Sequence, residues 1–133
     1  SVCNRQAWNV QVFFGEKAQE VLSFQNGNRG FGHVIPAVLL VTSNLAAFNQ
    51  YERNQMFVDG GIFSMSILQS IHGLGYGGCP LNLCKSVIEE HKFRRQLGIS
   101  INKEPIMMIG LGHLKEEFHV ARSMKKSTKE ILS

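Results

Sequence analysis

The sequence contains no apolar stretch long enough to cross a membrane. A spanning helix needs about 20 consecutive apolar residues, and the run over residues 35–41 is far shorter. A charged n-region followed by an apolar h-region and a cleavage site is also missing, so nothing indicates secretion. The three cysteines, Cys3, Cys79 and Cys84, are odd in number and form no paired framework, which favours a reducing compartment. We therefore expect a cytoplasmic protein with no membrane partner.

Metal-ligand patterns are equally scarce. No Cys-x-x-Cys or His-x-x-x-His pair occurs in the sequence, and the spacing between Cys79 and Cys84 alone is a weak zinc signal. A nucleophilic Cys3 or Cys79 would need a positioned histidine and an orienting third group. We expect no metal and interpret both cysteines as small buried hydrophobic residues.

Charged residues make up only 18% of the chain, and the net charge is +4. The excess lies in the tail from residue 122 onward. Its one acid, Glu130, stands against four basic residues, Arg122, Lys125, Lys126 and Lys129. A nucleic-acid surface would spread basic residues along an element and interleave them with aromatics. We therefore expect no nucleic-acid partner, and binding of a polyanion by the tail alone stays a weaker alternative.

The 133 residues suffice for one domain, residues 1–133, with a modest core. Ser86 with Glu89 predicts a capping box, and Gly98 predicts the end of the same helix. Strands that alternate with helices predict an α/β or α+β layered domain. The predicted elements are strands over 9–14, 36–42 and 106–111 and helices over 16–24 and 86–97.

The stretch over residues 56–82 is the one around which we expect the chain to be organised. Residues 56–72 are apolar on most of a helical circumference, a pattern typical of a helix buried among other elements. The residues that follow have too many glycines to continue a helix. Glycine allows sharp turns and close backbone approach, so the pattern indicates backbone lying against a ligand.

The spacing Gly73-x-Gly75-x-Gly77-Gly78 resembles a dinucleotide-binding fingerprint only superficially. That fingerprint follows a strand and opens a helix, so that a phosphate meets the positive helix N-terminus. Here the glycines follow a helix, whose C-terminal end repels phosphate. We interpret Gly73 as part of a helix C-cap and turn.

The opening stretch is the most specific one, and it reads Ser1-Val2-Cys3-Asn4-Arg5-Gln6-Ala7-Trp8. Its serine, asparagine and glutamine supply neutral hydrogen-bond donors and acceptors that suit the edge of a heteroaromatic ring or a polyol chain. The alternative interpretation is a capped turn with Trp8 in the core.

Three motifs together resemble the nitroreductase family of FMN-dependent oxidoreductases. They are Ser-x-x-Asn-Arg-Gln-x-Trp before a strand, an Asp-Gly-Gly-x-Phe-x-Met-Ser helix ending in Gly-Leu-Gly, and an Ile-Met-x-Ile-Gly-x-Gly strand before a basic tail. Their order and spacing agree over nearly the whole chain. The resemblance implies an α+β fold with a mixed sheet flanked by helices, and an intertwined homodimer with FMN at the interface. It also implies hydride transfer from NAD(P)H through FMN to a small acceptor such as a nitroaromatic or quinone.

The resemblance further implies the cofactor-binding residues. Residues that match the segment facing the partner subunit's flavin are Ser1, Cys3, Asn4 and Gln6. Residues that match the loop at the pyrimidine edge or ribityl chain are Asn28 and Arg29. Residues that match backbone against the ring near N5 are Gly78, Cys79, Pro80, Leu81 and Asn82. Residues that match the phosphate contacts are Arg122 and Lys125. No catalytic side chain is implied, because the cofactor carries the chemistry.

One departure from the family concerns the region ahead of Ser1. Family members normally begin with a helix and an arginine-rich segment that contacts the flavin phosphate, and this sequence starts after it. We expect either a piece of a longer protein or a shortened member. The alternative function is therefore a nitroreductase-like domain that has lost flavin binding and serves as a dimerisation or interaction module.

Overall fold

The computed structural model of the chain describes residues 1–119 and 122–132. Its helices and strands follow each other in a mixed order. In chain order they are β1 (Trp8–Phe14), α1 (Gly15–Leu22), β2 (Ala37–Asn44), α2 (Gln55–Gly73), β3 (Tyr76–Leu81), α3 (Val87–Leu97), β4 (Lys103–His113) and α4 (Thr128–Ile131). Short 3-10 turns cover Val2–Asn4, Gly32–Val34 and Leu45–Ala47. The predicted α+β class is confirmed.

The four strands form one sheet in the order β1-β2-β4-β3. All three strand pairings are antiparallel, whereas the sequence analysis expected a mixed sheet. The register between β2 and β4 shifts between Val41 and Thr42. Val41 pairs with residue 107 and Thr42 with residue 105, so Ile106 of β4 is an extra residue between them. Such a bulge bends the strand and increases its twist.

Strand β2 lies inside the sheet and is buried on both faces, as its continuous apolar run predicts. Side chains on one face, such as Leu40, pack with α1 and α3 in the larger core. Val41 points to the opposite face and packs with Ile71 and Ile109 beneath α2. The sheet is therefore sandwiched between α2 on one side and α1 with α3 on the other.

Helix α2 differs from the sequence interpretation. It was expected to be buried on most of its circumference, but only one face packs on the sheet, through residues such as Phe63 and Ile71. The opposite face exposes Val58, Ile62 and Met65, each with more than half of its surface accessible. Residues spaced by four and three lie on one side of a helix. The exposed residues therefore form a continuous apolar stripe.

Helix α3 begins and ends as predicted. The Ser86 side chain accepts from the Glu89 backbone, and the Glu89 side chain accepts from the Ser86 backbone. At the other end Gly98 has a left-handed backbone with φ of 63°. Only glycine adopts that conformation at little cost. The capping-box prediction is confirmed.

The glycine-rich segment after α2 is a correction to the sequence analysis. Gly73 ends the helix and Gly75 takes a φ of +81° in the turn, as the C-cap interpretation expects. The chain then continues as strand β3 rather than as irregular backbone. Because β3 lies at the edge of the sheet, it tolerates Pro80, which has no N–H to donate.

Candidate functional site

The opening segment, residues 1–6, has an unusual backbone. Cys3, Asn4 and Gln6 all have positive φ, between 49° and 53°, and none of them is glycine. Left-handed backbone is uncommon outside glycine and is held only where surrounding contacts enforce it. Within the segment, the Gln6 N–H donates to the Ser1 hydroxyl at 3.2 Å and Gln6 Nε2 donates to Asn4 Oδ1 at 3.0 Å.

The same segment is tied to the rest of the chain by α2 and by the turn before it. The Val2 N–H donates to both carboxylate oxygens of Asp59, at 3.2 and 3.0 Å. Arg5 forms an ion pair with Glu52 at 2.7 Å, which lowers the pKa of the Glu52 carboxyl through the hydrogen bond it donates. The side chains of Ser1, Asn4 and Gln6 are left exposed. The segment thus presents neutral polar groups from a fixed backbone.

Cys3 and Cys79 differ in their surroundings. Cys3 is exposed, so the expectation that it is a small buried hydrophobic residue is wrong. Cys79 is half-buried and packs against the core of α1 and α3. Burial raises the pKa of the Cys79 thiol, which keeps it protonated at neutral pH and disfavours a nucleophilic role.

The residues from Gly78 to Asn82 lie along edge strand β3 and just beyond it. This strand pairs only with β4, so within the described chain its outer edge has no neighbouring strand. A Cβ at Gly78 would lie 3.0 Å from Leu68 and 3.3 Å from Ile71 of α2. The missing side chain at Gly78 therefore allows α2 to pack directly on the strand. The outer backbone edge of β3 stays unpaired within the described chain.

The loop that contains Asn28 is held against the end of β3. The buried Gln25 side chain donates to the Asn82 carbonyl at 3.3 Å and to Asn82 Oδ1 at 3.1 Å, and accepts from the Gly27 N–H at 2.6 Å. Asn28 Nδ2 donates to the Leu22 carbonyl at 2.8 Å. Asn28 therefore closes the loop on α1, and its amide nitrogen is already engaged.

Arg29 belongs to a polar hollow beside this loop. The hollow measures about 350 Å³, and Gln19, Asn28 and His33 also line it. A second hollow of about 250 Å³ lies where the loop meets the sheet, lined among others by Phe31, by Cys79 and by glycines of β3 and β4. The loop thus contributes to both hollows, with Arg29 lining the first and Phe31 the second.

The basic residues of the tail are exposed. Arg122 and Lys125 lie in irregular backbone before α4, whose N-terminus is capped by Ser127 with Glu130. In the described residues neither cation has an ion-pair partner. Both remain available for an anion.

The predicted site residues fall into three groups in one chain, and the tail with Arg122 and Lys125 is one of them. The loop with Asn28 and Arg29 lies beside residues 78–82, but the opening segment precedes β1, at the opposite edge of the sheet. Three inter-strand spacings of about 4.8 Å separate those edges, or about 14 Å. Within the described residues, no hydrogen bond and no shared hollow joins the opening segment to the loop or to residues 78–82.

Three residues that support this surface were missed in the sequence. Asp59 anchors the opening segment, Gln25 joins the loop to Asn82, and Lys85 lies 5.0 Å above the Phe93 ring while donating to the Phe24 carbonyl. Burial lowers the pKa of Lys85. The sequence did hint at a role for Asp59. It is the single charged residue among the nineteen of α2, and an acid in an apolar helix needs a partner.

Residues 1–119 and 122–132 contain no group of three or more histidine, cysteine or acidic side chains placed to hold a metal ion. No helix within those ranges combines the length and apolarity that crossing a membrane requires.

Solved structures share this fold, although no protein-family model and no curated protein matches the sequence. A nitroreductase family protein from Streptococcus pneumoniae superposes with a TM-score of 0.78 at 15% identity, covering 100% of this chain and 81% of its own. A nitroreductase-like protein from Streptococcus mutans gives 0.78 at 20% identity, covering 98% and 77%. A nitroreductase family protein from Clostridium difficile gives 0.77 at 18% identity, covering 100% and 76%. The resemblance found in the sequence is thus confirmed for the architecture: the chain has the fold of the nitroreductase family proteins.

Proposed function

We propose that this protein is an FMN-dependent oxidoreductase that takes hydride from NAD(P)H and passes electrons to a small acceptor such as a nitroaromatic or a quinone. We further propose that it works as a homodimer with the cofactor between the subunits. The three cysteines form no disulfide, which supports a cytoplasmic location. FMN, when bound, supplies the two-electron chemistry that links donor and acceptor.

The observation that carries the proposal is the placement of the opening segment before edge strand β1 and of the loop with residues 78–82 at the other edge, strand β3. We propose that one cofactor contacts both by lying between two chains, with the opening segment of one meeting the loop and β3 of the other. The resemblance of the sequence motifs to the nitroreductase family, which implies an intertwined homodimer, supports the same arrangement.

The exposed stripe on α2 supports the homodimer independently. Val58, Ile62 and Met65 are half or more exposed, and the single charged residue of the helix, Asp59, lies on the buried side. An apolar, uncharged stripe in contact with water is costly and is typical of a surface covered by a partner. A second copy of the chain would cover this stripe with its own.

The residues present fit the cofactor. Ser1, Asn4 and Gln6 offer neutral donors and acceptors to the edge of a planar ring, and Arg29 offers a cation beside them in the assembled dimer. Donors at the pyrimidine edge stabilise the negative charge that reduction places there. Backbone groups on the open edge of β3, residues 78–82, would face the ring, and Arg122 and Lys125 would neutralise the phosphate. Asn28 contributes by holding the loop, since its amide is bonded to Leu22.

Reconstitution tests the proposal. Protein purified in the presence of FMN should be yellow, should quench flavin fluorescence on titration, and should oxidise NAD(P)H when a quinone or nitroaromatic is present. A colourless protein that leaves flavin fluorescence unchanged would contradict the proposal and would favour an interaction module of the same fold.

A further inference from the structure

The backbone of the opening segment is strained, and the hydrogen bonds within the segment are too weak to hold it in that conformation. Three of its six residues, Cys3, Asn4 and Gln6, have left-handed backbone, and asparagine is the only one of these types that tolerates it well. The bonds inside the segment, from Gln6 to Ser1 and to Asn4, lie at the exposed surface. Exposed hydrogen bonds exchange readily with water and contribute little net stability. A more rigid group must fix the segment.

Two side chains anchor the segment from outside, Glu52 through its exposed ion pair with Arg5 and Asp59 through the Val2 N–H, and Asp59 is the buried one. Its side chain is only 3% exposed, and both of its oxygens accept from the Val2 N–H. Oδ1 also accepts from Gln55 Nε2 at 3.0 Å, which fixes the orientation of the carboxylate. A buried carboxylate that accepts hydrogen bonds from fixed donors holds them more firmly than a neutral acceptor does.

Helix geometry does not account for a buried acid at this position. Asp59 lies beyond the first turn of α2, which begins at Gln55 and has no acidic residue in that turn. Free backbone N–H groups and the positive dipole end are confined to the first turn. The described donors to the carboxylate are the Gln55 side chain and the Val2 N–H, and of these two the Val2 N–H lies outside the helix.

We propose that Asp59 is a positioning residue for the cofactor: by holding the Val2 amide it sets the backbone of residues 1–6 so that Ser1, Asn4 and Gln6 face the ring. This inference rests on the proposed function, because it assigns the segment to flavin binding. Asp59 touches neither cofactor nor substrate in this role.

Four variants test the role. D59A removes both acceptor oxygens. D59N keeps one oxygen for Val2, and Gln55 can turn its own amide oxygen toward the new NH₂ group. D59E keeps the charge but displaces it by one bond length. S64A is the matched control, since Ser64 is fully buried on the same helix and donates to the Gly60 carbonyl at 2.7 Å without touching the segment.

We would measure the Kd for FMN by fluorescence quenching, the Tm by circular dichroism, and amide exchange of the peptide over residues 1–8. D59A and D59E should raise the Kd about tenfold or more, and D59A should speed exchange in that peptide. D59N should stay within about threefold of the unmodified protein, and S64A should lower the Tm by a few degrees while leaving Kd and exchange unchanged. If D59A does not fold, the Kd of D59E compared with that of D59N still tests the role.

Equal FMN affinity in D59E and D59N would overturn the positioning role, as would exchange in D59A no faster than in S64A. Either result can be obtained while the unmodified protein binds FMN, so it would leave the proposed function standing. An unmodified protein that binds no FMN would instead contradict the proposed function itself, and the positioning role with it.

Discussion

Trp8 lies almost flat against Phe63, with ring centroids 4.8 Å apart and ring planes 18° from parallel. The pair joins the first residue of β1 to the middle of α2. It therefore fixes the point at which the opening segment leaves the sheet. From the sequence, the opening stretch is either a ligand-binding segment or a capped turn with Trp8 in the core. The contact with Phe63 places the Trp8 ring against the core.

The Trp8–Phe63 stack should be a large contribution to stability. W8A removes a half-buried aromatic side chain and its stacking contact with Phe63, so the free energy of unfolding should fall by about 2–3 kcal/mol. W8F should retain most of the stability that W8A loses, because it keeps an aromatic ring at this position. Urea unfolding measures the effect, with F118A as the control, because Phe118 is 56% exposed and its loss should cost less than about 0.5 kcal/mol. Equal effects of W8A and F118A would contradict the contact.

Two adjacent glycines of α2 should respond in opposite directions to alanine. A Cβ at Gly60 would lie 2.8 Å from two branch carbons of Ile106, whereas a Cβ at Gly61 would meet nothing within 4 Å. G60A should therefore destabilise the protein by about 1–3 kcal/mol, and G61A should stabilise it by up to about 1 kcal/mol. Thermal unfolding of the two variants measures the difference. A G60A protein as stable as G61A would show that α2 does not pack on Ile106 as described.

The α3 capping box predicts that its contribution to stability depends on pH in the acidic range. The hydrogen bonds from Ser86 lower the pKa of Glu89 below its ordinary value of 4.5. A depressed carboxyl pKa contributes stability that is complete above the ordinary value and is lost as the pH falls through the folded-state value. S86A should lower the Tm by roughly 3–6 °C at neutral pH, and the gap to the unmodified protein should narrow between about pH 5 and pH 3. A gap that is constant over this range would contradict the linkage.

A lysine in the apolar stripe of α2 should prevent dimer formation. I62K places a charge at a position that is 60% exposed in one chain but covered in the proposed dimer, so folding should survive while the dimer dissociation constant rises at least about a hundredfold. I101K makes the same change at a position that is 85% exposed and outside α2. Light scattering after size exclusion should show a monomer for I62K and no change for I101K. A dimeric I62K protein would exclude this face as the interface.

Local sequence signals predicted much of the fold. The apolar run of β2 and the Ser86–Glu89 capping box depend on residues close together in the chain, so the sequence was sufficient for both. Strand β3 was missed because Gly77, Gly78 and Pro80 all have low strand propensity. Pairing with β4, more than thirty residues away in sequence at Tyr76 and His113, imposes the strand in spite of that propensity.

The remaining differences also have physical causes. The apolar pattern of α2 predicts burial but does not reveal whether the same chain or another one covers Val58 and Ile62. Positive φ at Cys3 and Gln6 is not predictable from residue type, since neither type favours it. The anchoring of Val2 by Asp59 joins residues 57 positions apart. No local spacing rule reports such a contact, although an isolated acid in an apolar helix was a visible hint.

Native mass spectrometry of the protein reconstituted with FMN distinguishes a site shared by two chains from a site within one chain, because it counts chains and cofactors in one particle. A site built from opposite sheet edges of two chains occurs twice in a symmetric pair. We predict particles of two chains with up to two FMN molecules, and no cofactor on single chains. FMN retained by a single chain, or paired chains that hold none, would contradict this prediction.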